Sequence, residues 1–140
     1  MIARILTAKE IGIVDSFFLE YSEESNDSEL SKIKKQVEIS VDDGSAIVVE
    51  HEGTVIGGMA GHFMPMFSNN KVVFFVMFFY IFKKFRKYIQ RFVNCVTNFI
   101  KSFASGIVIA SPYGEESYKR ERLYKIMRFK PVETHFMRCF

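Results

Sequence analysis

The chain has 140 residues, 49% of them hydrophobic and 25% charged, enough for one buried core and too few for two, so a single domain over residues 1–140 is expected. Three prolines and eight glycines exclude a low-complexity or collagen-like chain, and the longest apolar run, Val72 to Phe82 with eleven residues, falls short of the ~20 that a membrane-spanning helix needs. The net charge of +3 conceals a separation: twelve of the sixteen acids lie between Glu10 and Glu52 and none follows until Glu115, while Lys71, Lys83, Lys84, Arg86, Lys87, Arg91 and Lys101 occupy the acid-free middle. One face of the molecule is therefore expected to be positive, either as a solvated surface or toward an anionic partner.

The first residues, MIARILTAKEIGIVDSFF, contain no small-residue cleavage site after an apolar stretch, so no secretory leader is expected. From Thr7 onward Ile11, Val14, Phe18 and Tyr21 recur at helical spacing, with Thr7 as N-cap and Glu10 completing a capping box. NDSELSKIKKQVEIS offers Asp27 or Ser28 as the cap of a second helix that carries Leu30, Ile33 and Val37 on one side. VDDGSA is a turn by composition. AIVVEHEGTVIGGMAGHFM reads as a hairpin closed by HEGT, where Gly53 supplies the positive φ of a short loop. Gly57, Gly58 and Gly61 inside its second strand suggest a bulge or a ligand close to the backbone.

VVFFVMFFYIF lacks alternation, as a strand covered on both faces should. The most periodic segment is KKFRKYIQRFVNCVTNFIKSFA. Its apolar stripe is Phe85, Ile89, Phe92, Val93, Val96, Phe99, Ile100 and Phe103, and a basic first half opens a helix of about five turns. GIVIA is a short strand, SPYGEES a loop, ESYKRERLYKIM a helix and FKPVETHFMRCF a closing strand. Cys95 and Cys139 fit neither a C-x-x-C pair nor a disulfide framework, which suits reduced thiols in a cytosolic setting.

This order, and above all the run RLYKIMRFKPVETHFMRCF from Arg122 to Phe140, resembles the GNAT (Gcn5-related N-acetyltransferase) superfamily, whose chains end in an L-Y-x-x-x-G-F segment. FKPVETHF looks like the version found in phage-encoded members. The resemblance implies an α/β (α+β) fold, a mixed and mostly antiparallel sheet flanked by helices in the order ααβββαβαβ. It also implies an acetyl-CoA site where the central strand meets the long helix. In the family that junction carries R/Q-x-x-G-x-G/A. With Arg86 in the Arg/Gln position, the segment Arg86, Lys87, Tyr88, Ile89, Gln90 and Arg91 corresponds to the pyrophosphate loop, and none of the glycine positions holds a small residue. Side chains at 87, 89 and 91 would enter the space a diphosphate needs, or the helix starts earlier than in the family.

Three other positions bear on activity. Tyr124 matches the family tyrosine that protonates the departing thiolate, although beside Leu123 it also reads as an ordinary residue of an apolar helix face. The central strand has no carboxylate, which leaves Glu50 and His62 on the hairpin as candidate bases. The glycine that ends the last helix in a left-handed turn is replaced by Arg128, at a cost of ~1 kcal/mol or more.

KKFRKYI also looks like the matching region of small GNAT-like proteins encoded among the virion-morphogenesis genes of short-tailed phages. The resemblance thus implies a GNAT-fold protein with a degenerate acetyl-CoA site, acting as a structural or assembly protein with other virion or phage proteins as partners. It would work in the host cytoplasm or the virion, without membrane and without cofactor. The alternative is an acetyl-CoA-dependent N-acetyltransferase that holds the cofactor phosphates through basic side chains, and a third reading is nucleic-acid binding by the basic helix.

Overall fold

The computed structural model describes residues 1–24, 29–66, 70–110, 117–131 and 138, and the chain forms two compact units, Met1–Ala110 and Ser111–Phe140. In the first unit β1 (Ile2–Ile5) leads through a 3-10 turn (Ala8–Glu10) into α1 (Ile11–Glu24), followed by α2 (Leu30–Asp42), β2 (Ala46–His51), β3 (Thr54–Pro65) and β4 (Val72–Ile81). A 3-10 segment, Lys83–Tyr88, then runs into α3 (Ile89–Ile100), and β5 (Ile107–Ile109) ends the unit. The second unit contains α4 (Ser117–Ile126). The expected caps Asp27 and Ser28, residues 111–116 of the last loop, Cys139 and residues 132–137 of the expected closing strand lie outside the described residues, while Phe129 to Pro131 are not in a strand.

The sheet has the order β1-β2-β3-β4-β5, antiparallel throughout except for the parallel β4–β5 pair. β1 is absent from the sequence reading. Four residues are too few for a periodicity signal, and Ile2 is two-thirds exposed. What makes it a strand is tertiary: its ladder to β2, from Ile2 opposite Glu50 to Ile5 opposite Ile47, and the guanidinium of Arg4. That group donates to both Glu10 carboxylate oxygens at 2.7 and 2.6 Å and to Glu50 at 3.0 and 2.9 Å. Glu10 also accepts from the Thr7 hydroxyl and N–H, so the expected capping box is tied into the sheet edge. The β2–β3 turn takes positive φ at both Glu52 (52°) and Gly53 (78°), the two-residue hairpin geometry that the sequence suggests.

α1 and α2 cover one face of the sheet, where Val14, Phe17, Phe18, Val37 and Val41 pack with Ala46, Val48, Ala60 and Tyr80. α3 covers the other, with Phe92, Val93, Val96 and Ile100 buried. The β3 glycines set both distances. A Cβ on Gly57 would lie 2.7 Å from the Tyr80 carbonyl oxygen and 2.8 Å from the Phe92 ring of α3, and one on Gly58 would lie 3.0 Å from the Phe17 ring of α1. The close neighbours of these two glycines are protein groups, while Gly61 marks a register shift between Ala60 and Gly61, the bulge expected from the sequence. β4 is covered on both sides, with Phe78 stacked on Phe18 at 4.7 Å and Phe79 against Phe92 at 5.9 Å. Its middle, from Met77 to Phe79, is nonetheless only half-buried.

The long helix differs from expectation. Its first two turns are 3-10 and the α-helix begins at Ile89, later than the sequence pattern implies, and it ends at Ile100, so Phe103 stands 60% exposed. Phe85, Ile89 and Phe92 still share the inward side, although only Phe92 is fully buried.

Gly57→Ala is expected to destabilise the protein by roughly 1–3 kcal/mol through overpacking, whereas Gly12→Ala, with nothing within 4 Å of the added carbon, should stabilise α1 slightly. Opposite shifts of the urea midpoint at unchanged slope check the pair. A second expectation concerns acid. Hydrogen bonds from Arg4, then from Thr7, hold the Glu10 carboxyl at about 2, below its ordinary 4.5. Because the folded value is the lower one, this stabilisation is complete above the unfolded value of 4.5 and is lost as pH falls toward 2. Glu10→Gln should flatten the urea-midpoint profile in that window and leave its neutral limb parallel to wild type.

Candidate functional site at the junction of β4 and α3

The junction is built from the end of α1 as much as from β4. Glu20 and Glu24 are one helical turn apart on α1, whose last turn carries no basic residue. Acids there oppose the helix dipole, and their placement is explained by what they hold. Glu20 accepts from the Tyr80 hydroxyl at 3.0 Å and from the Lys83 backbone N–H at 3.0 Å. Glu24 accepts from the Arg86 guanidinium at 2.7 Å and pairs with the Lys83 ammonium at 3.3 Å. Arg86 also donates through Nε to the Ile81 carbonyl at 3.2 Å, with its guanidinium carbon 5.4 Å from the Tyr80 ring centroid.

The protonation states follow. The hydrogen bond from Arg86 keeps the Glu24 carboxyl below its usual range, against a smaller opposing effect of burial. Burial, and then the bond to Glu20, push the Tyr80 phenol well above its ordinary value. Arg86 is raised by Glu24. At neutral pH Glu24 is thus a carboxylate, Arg86 a cation and Tyr80 a neutral phenol. Sequence reasoning missed Glu20 and Glu24, and the available signal was a pair of i, i+4 acids at a helix C-terminus without a compensating base.

The other residues expected here face outward. Lys87 and Arg91 are exposed and lie over the half-buried Tyr88 ring at 5.1 and 5.6 Å, and His51 contacts the same ring at 5.3 Å. Ile89 and Gln90 are half-buried in the first turn of α3. The structure therefore divides Arg86–Arg91: Arg86 turns to α1, and Lys87 and Arg91 turn to solvent.

Two groups at this strand-to-helix junction that could serve an anion, the Lys83 N–H and the Arg86 guanidinium, are held by Glu20 and Glu24. Among the described residues none between Lys83 and Arg91 has positive φ, so the segment is a helical start that places no demand for glycine.

The two candidate bases are apart from this cluster. Glu50 is engaged by Arg4, and His62 is half-buried on β3 opposite Phe75. No three His, Cys, Asp or Glu side chains are grouped as a metal site among the described residues. Beyond Val76, the last β4 residue in register with β5, Met77–Ile81 has no strand on that side among the described residues.

In the second unit Tyr124 lies on α4, its ring 6.2 Å from Phe129, and burial raises its phenol above the ordinary value, against a lowering by Arg120. Arg128 has φ 66°, the left-handed conformation expected at that position. Around it Phe129 N–H donates to the Tyr124 carbonyl at 2.9 Å and Arg128 N–H to the Lys125 carbonyl at 2.9 Å, a Schellman motif whose apolar contact is the Tyr124–Phe129 pair.

No protein-family model matches the chain, and no curated protein sequence does. Solved structures do. The ribosomal-protein-alanine N-acetyltransferase from Brucella melitensis biovar Abortus matches with TM-score 0.69 at 14% identity, over 99% of this chain and 97% of that one. A GNAT family acetyltransferase from Staphylococcus aureus matches with TM-score 0.67 at 15% identity, over 99% and 98%. AAC(6')-Iy in complex with the bisubstrate analog CoA-S-monomethyl-acetylneamine matches with TM-score 0.60 at 11% identity, over 98% and 97%. The chain has the GNAT-like fold, with a five-stranded, mostly antiparallel sheet and four α-helices among the described residues, and at these identities the likeness is one of fold. No helix among the described residues is long and apolar enough to cross a membrane.

Arg128→Gly is expected to stabilise the protein by about 1 kcal/mol by removing left-handed strain, read as a raised melting temperature. Arg128→Val, β-branched in the same conformation, should lower it.

Proposed function

We propose that this is a GNAT-fold protein that works through protein contacts rather than by acyl transfer. The observation that carries this reading is the occupation of the junction: Glu20 and Glu24 take the Lys83 N–H and the Arg86 guanidinium. Intramolecular carboxylates do the work of an anion there, and a second anion would be repelled by them. The similarity of KKFRKYI and FKPVETHF to phage-encoded proteins supports a place among virion or assembly proteins, in the host cytoplasm or in the particle, with other phage proteins as partners.

A second reading is an acetyl-CoA-dependent N-acetyltransferase. It is favoured by the exposed cations Lys84, Lys87 and Arg91, by the edge of Met77–Ile81, which no strand covers among the described residues, and by the neutral phenol of Tyr124, which has the chemistry of a proton donor. The acetyltransferase names of the structural neighbours point the same way.

Calorimetric titration with acetyl-CoA separates the two. The first reading expects no binding to wild type at submillimolar ligand, and measurable binding by Glu20→Gln/Glu24→Gln, in which the repelling charges are gone. Submillimolar binding by wild type that weakens on charge reversal at Arg86 and Lys87 would refute it. Thioester cleavage lost in Tyr124→Phe would establish the second.

A further inference from the structure

The basic residues of the middle of the chain are sorted by the fold. Lys83 and Arg86 point to α1 and share an ion pair with Glu24. Lys84, Lys87, Arg91 and Lys101 are exposed, and among the described residues none of them forms an ion pair. They lie in one row with the exposed Asn94 and Asn98, at successive steps of three or four residues, so they share one side of the helix. No carboxylate stands in the sequence from Gly53 to Gly114 to interrupt the row.

The row has a spacing. From Lys84 to Lys87 the chain is 3-10, and three residues at a ~2.0 Å rise put the two side chains about 6 Å apart on the same side. From Lys87 to Arg91 four residues at ~1.5 Å again give about 6 Å. An extended peptide repeats its side chains on one side every second residue, ~6.6–6.8 Å. Three cations at that interval match three acids at alternate positions of an extended chain.

Nucleic acid suits the face less well, because single strands are held through open aromatic platforms. The rings here already carry cations: Lys84 lies over Phe85 at 4.9 Å, and Lys87 and Arg91 lie over Tyr88.

We propose that the exposed side of Lys83–Tyr88 and α3 is a docking face for an extended acidic segment of a partner protein, with Lys84, Lys87 and Arg91 each meeting a carboxylate at alternate positions. This names the chemistry of the partner in the protein-contact reading, on which it rests for the partner's being a protein.

The test is fluorescence anisotropy with a labelled peptide of alternating glutamate and serine, a second peptide with the same composition but its glutamates contiguous, and an oligothymidylate. The alternating peptide should bind best. Its affinity should fall about tenfold in Lys84→Gln/Lys87→Gln/Arg91→Gln, a variant that changes only exposed side chains, and also on raising salt from about 50 to about 300 mM. Lys35→Glu, on the exposed side of α2, should change it little. Equal binding of both peptides, or an undiminished affinity in the triple variant, would overturn the proposal, as would tighter binding of the oligothymidylate lost in that variant. Acetyl-CoA in the same titration keeps the two readings separate. If it binds and the alternating peptide still binds, only the non-catalytic reading falls, and if no peptide binds with or without it, the docking face falls.

Discussion

The distance between the sheet and its two helical layers is set at Gly57 and Gly58, and the rest of the first unit follows from it. Neighbouring residues of one strand point to opposite faces, so two adjacent positions without side chains let a ring approach from each side: Phe17 of α1 over Gly58 and Phe92 of α3 over Gly57. With Phe17 seated there, Glu20 and Glu24 lie one and two turns further along α1 and reach the end of β4. With Phe92 seated, the start of α3 is fixed within the reach of those carboxylates. The charged cluster at the junction is thus a consequence of apolar packing that brings two helices to the same strand end.

That cluster decides how the positive charge of the molecule is used. Glu20 and Glu24 belong to the same chain as the groups they hold, so their contact carries no cost of bringing a free ligand from solution, and a dissolved anion competes against a tethered one. Each bond is partly exposed and individually modest, but the four contacts share two carboxylates and restrain three elements together. The cations that remain are those that α1 cannot reach, and this geometric division turns an unremarkable basic segment into an ordered row.

The sequence made legible whatever depends on short range. The Thr7–Glu10 capping box, the positive φ of Gly53 and the left-handed position of Arg128 are each determined within a few residues, and each stands as expected, while the positive φ of Glu52 was not foreseen. The helices and the strands β2 to β5 followed from residue pattern, and the mixed, mostly antiparallel sheet from the resemblance. β1 was hidden because its four residues are specified by β2 and by the Arg4 ion pairs, partners more than forty residues away in the case of Glu50. The 3-10 start of the long helix was hidden for a related reason. Lys83–Tyr88 has the same residue pattern as the α-helix that follows, and what tightens it lies outside the segment, in the bonds to Glu20, Glu24 and the Ile81 carbonyl. The Glu20 and Glu24 pairing was legible only as an oddity, acids where a helix dipole disfavours them.

The two places where the chain lacks an expected glycine resolve in opposite ways. At Arg128 the backbone keeps the left-handed turn and bears the strain, because the turn closes two otherwise open carbonyls and seats Phe129 against Tyr124. Moving Arg128 out of that region would forfeit both bonds, at about 1 kcal/mol each, which exceeds the cost of a side chain there. At Lys87, Ile89 and Arg91 no such bonds depend on a glycine conformation, and the backbone is helical. Glycine at a helix stop is a matter of φ, which other residues tolerate at a cost, whereas glycine at a phosphate loop is a matter of open space, which a side chain removes outright. Loss of the first leaves the fold intact and strained, whereas the side chains at 87, 89 and 91 cost the helical backbone no such strain, with Lys87 and Arg91 in solvent and Ile89 half-buried.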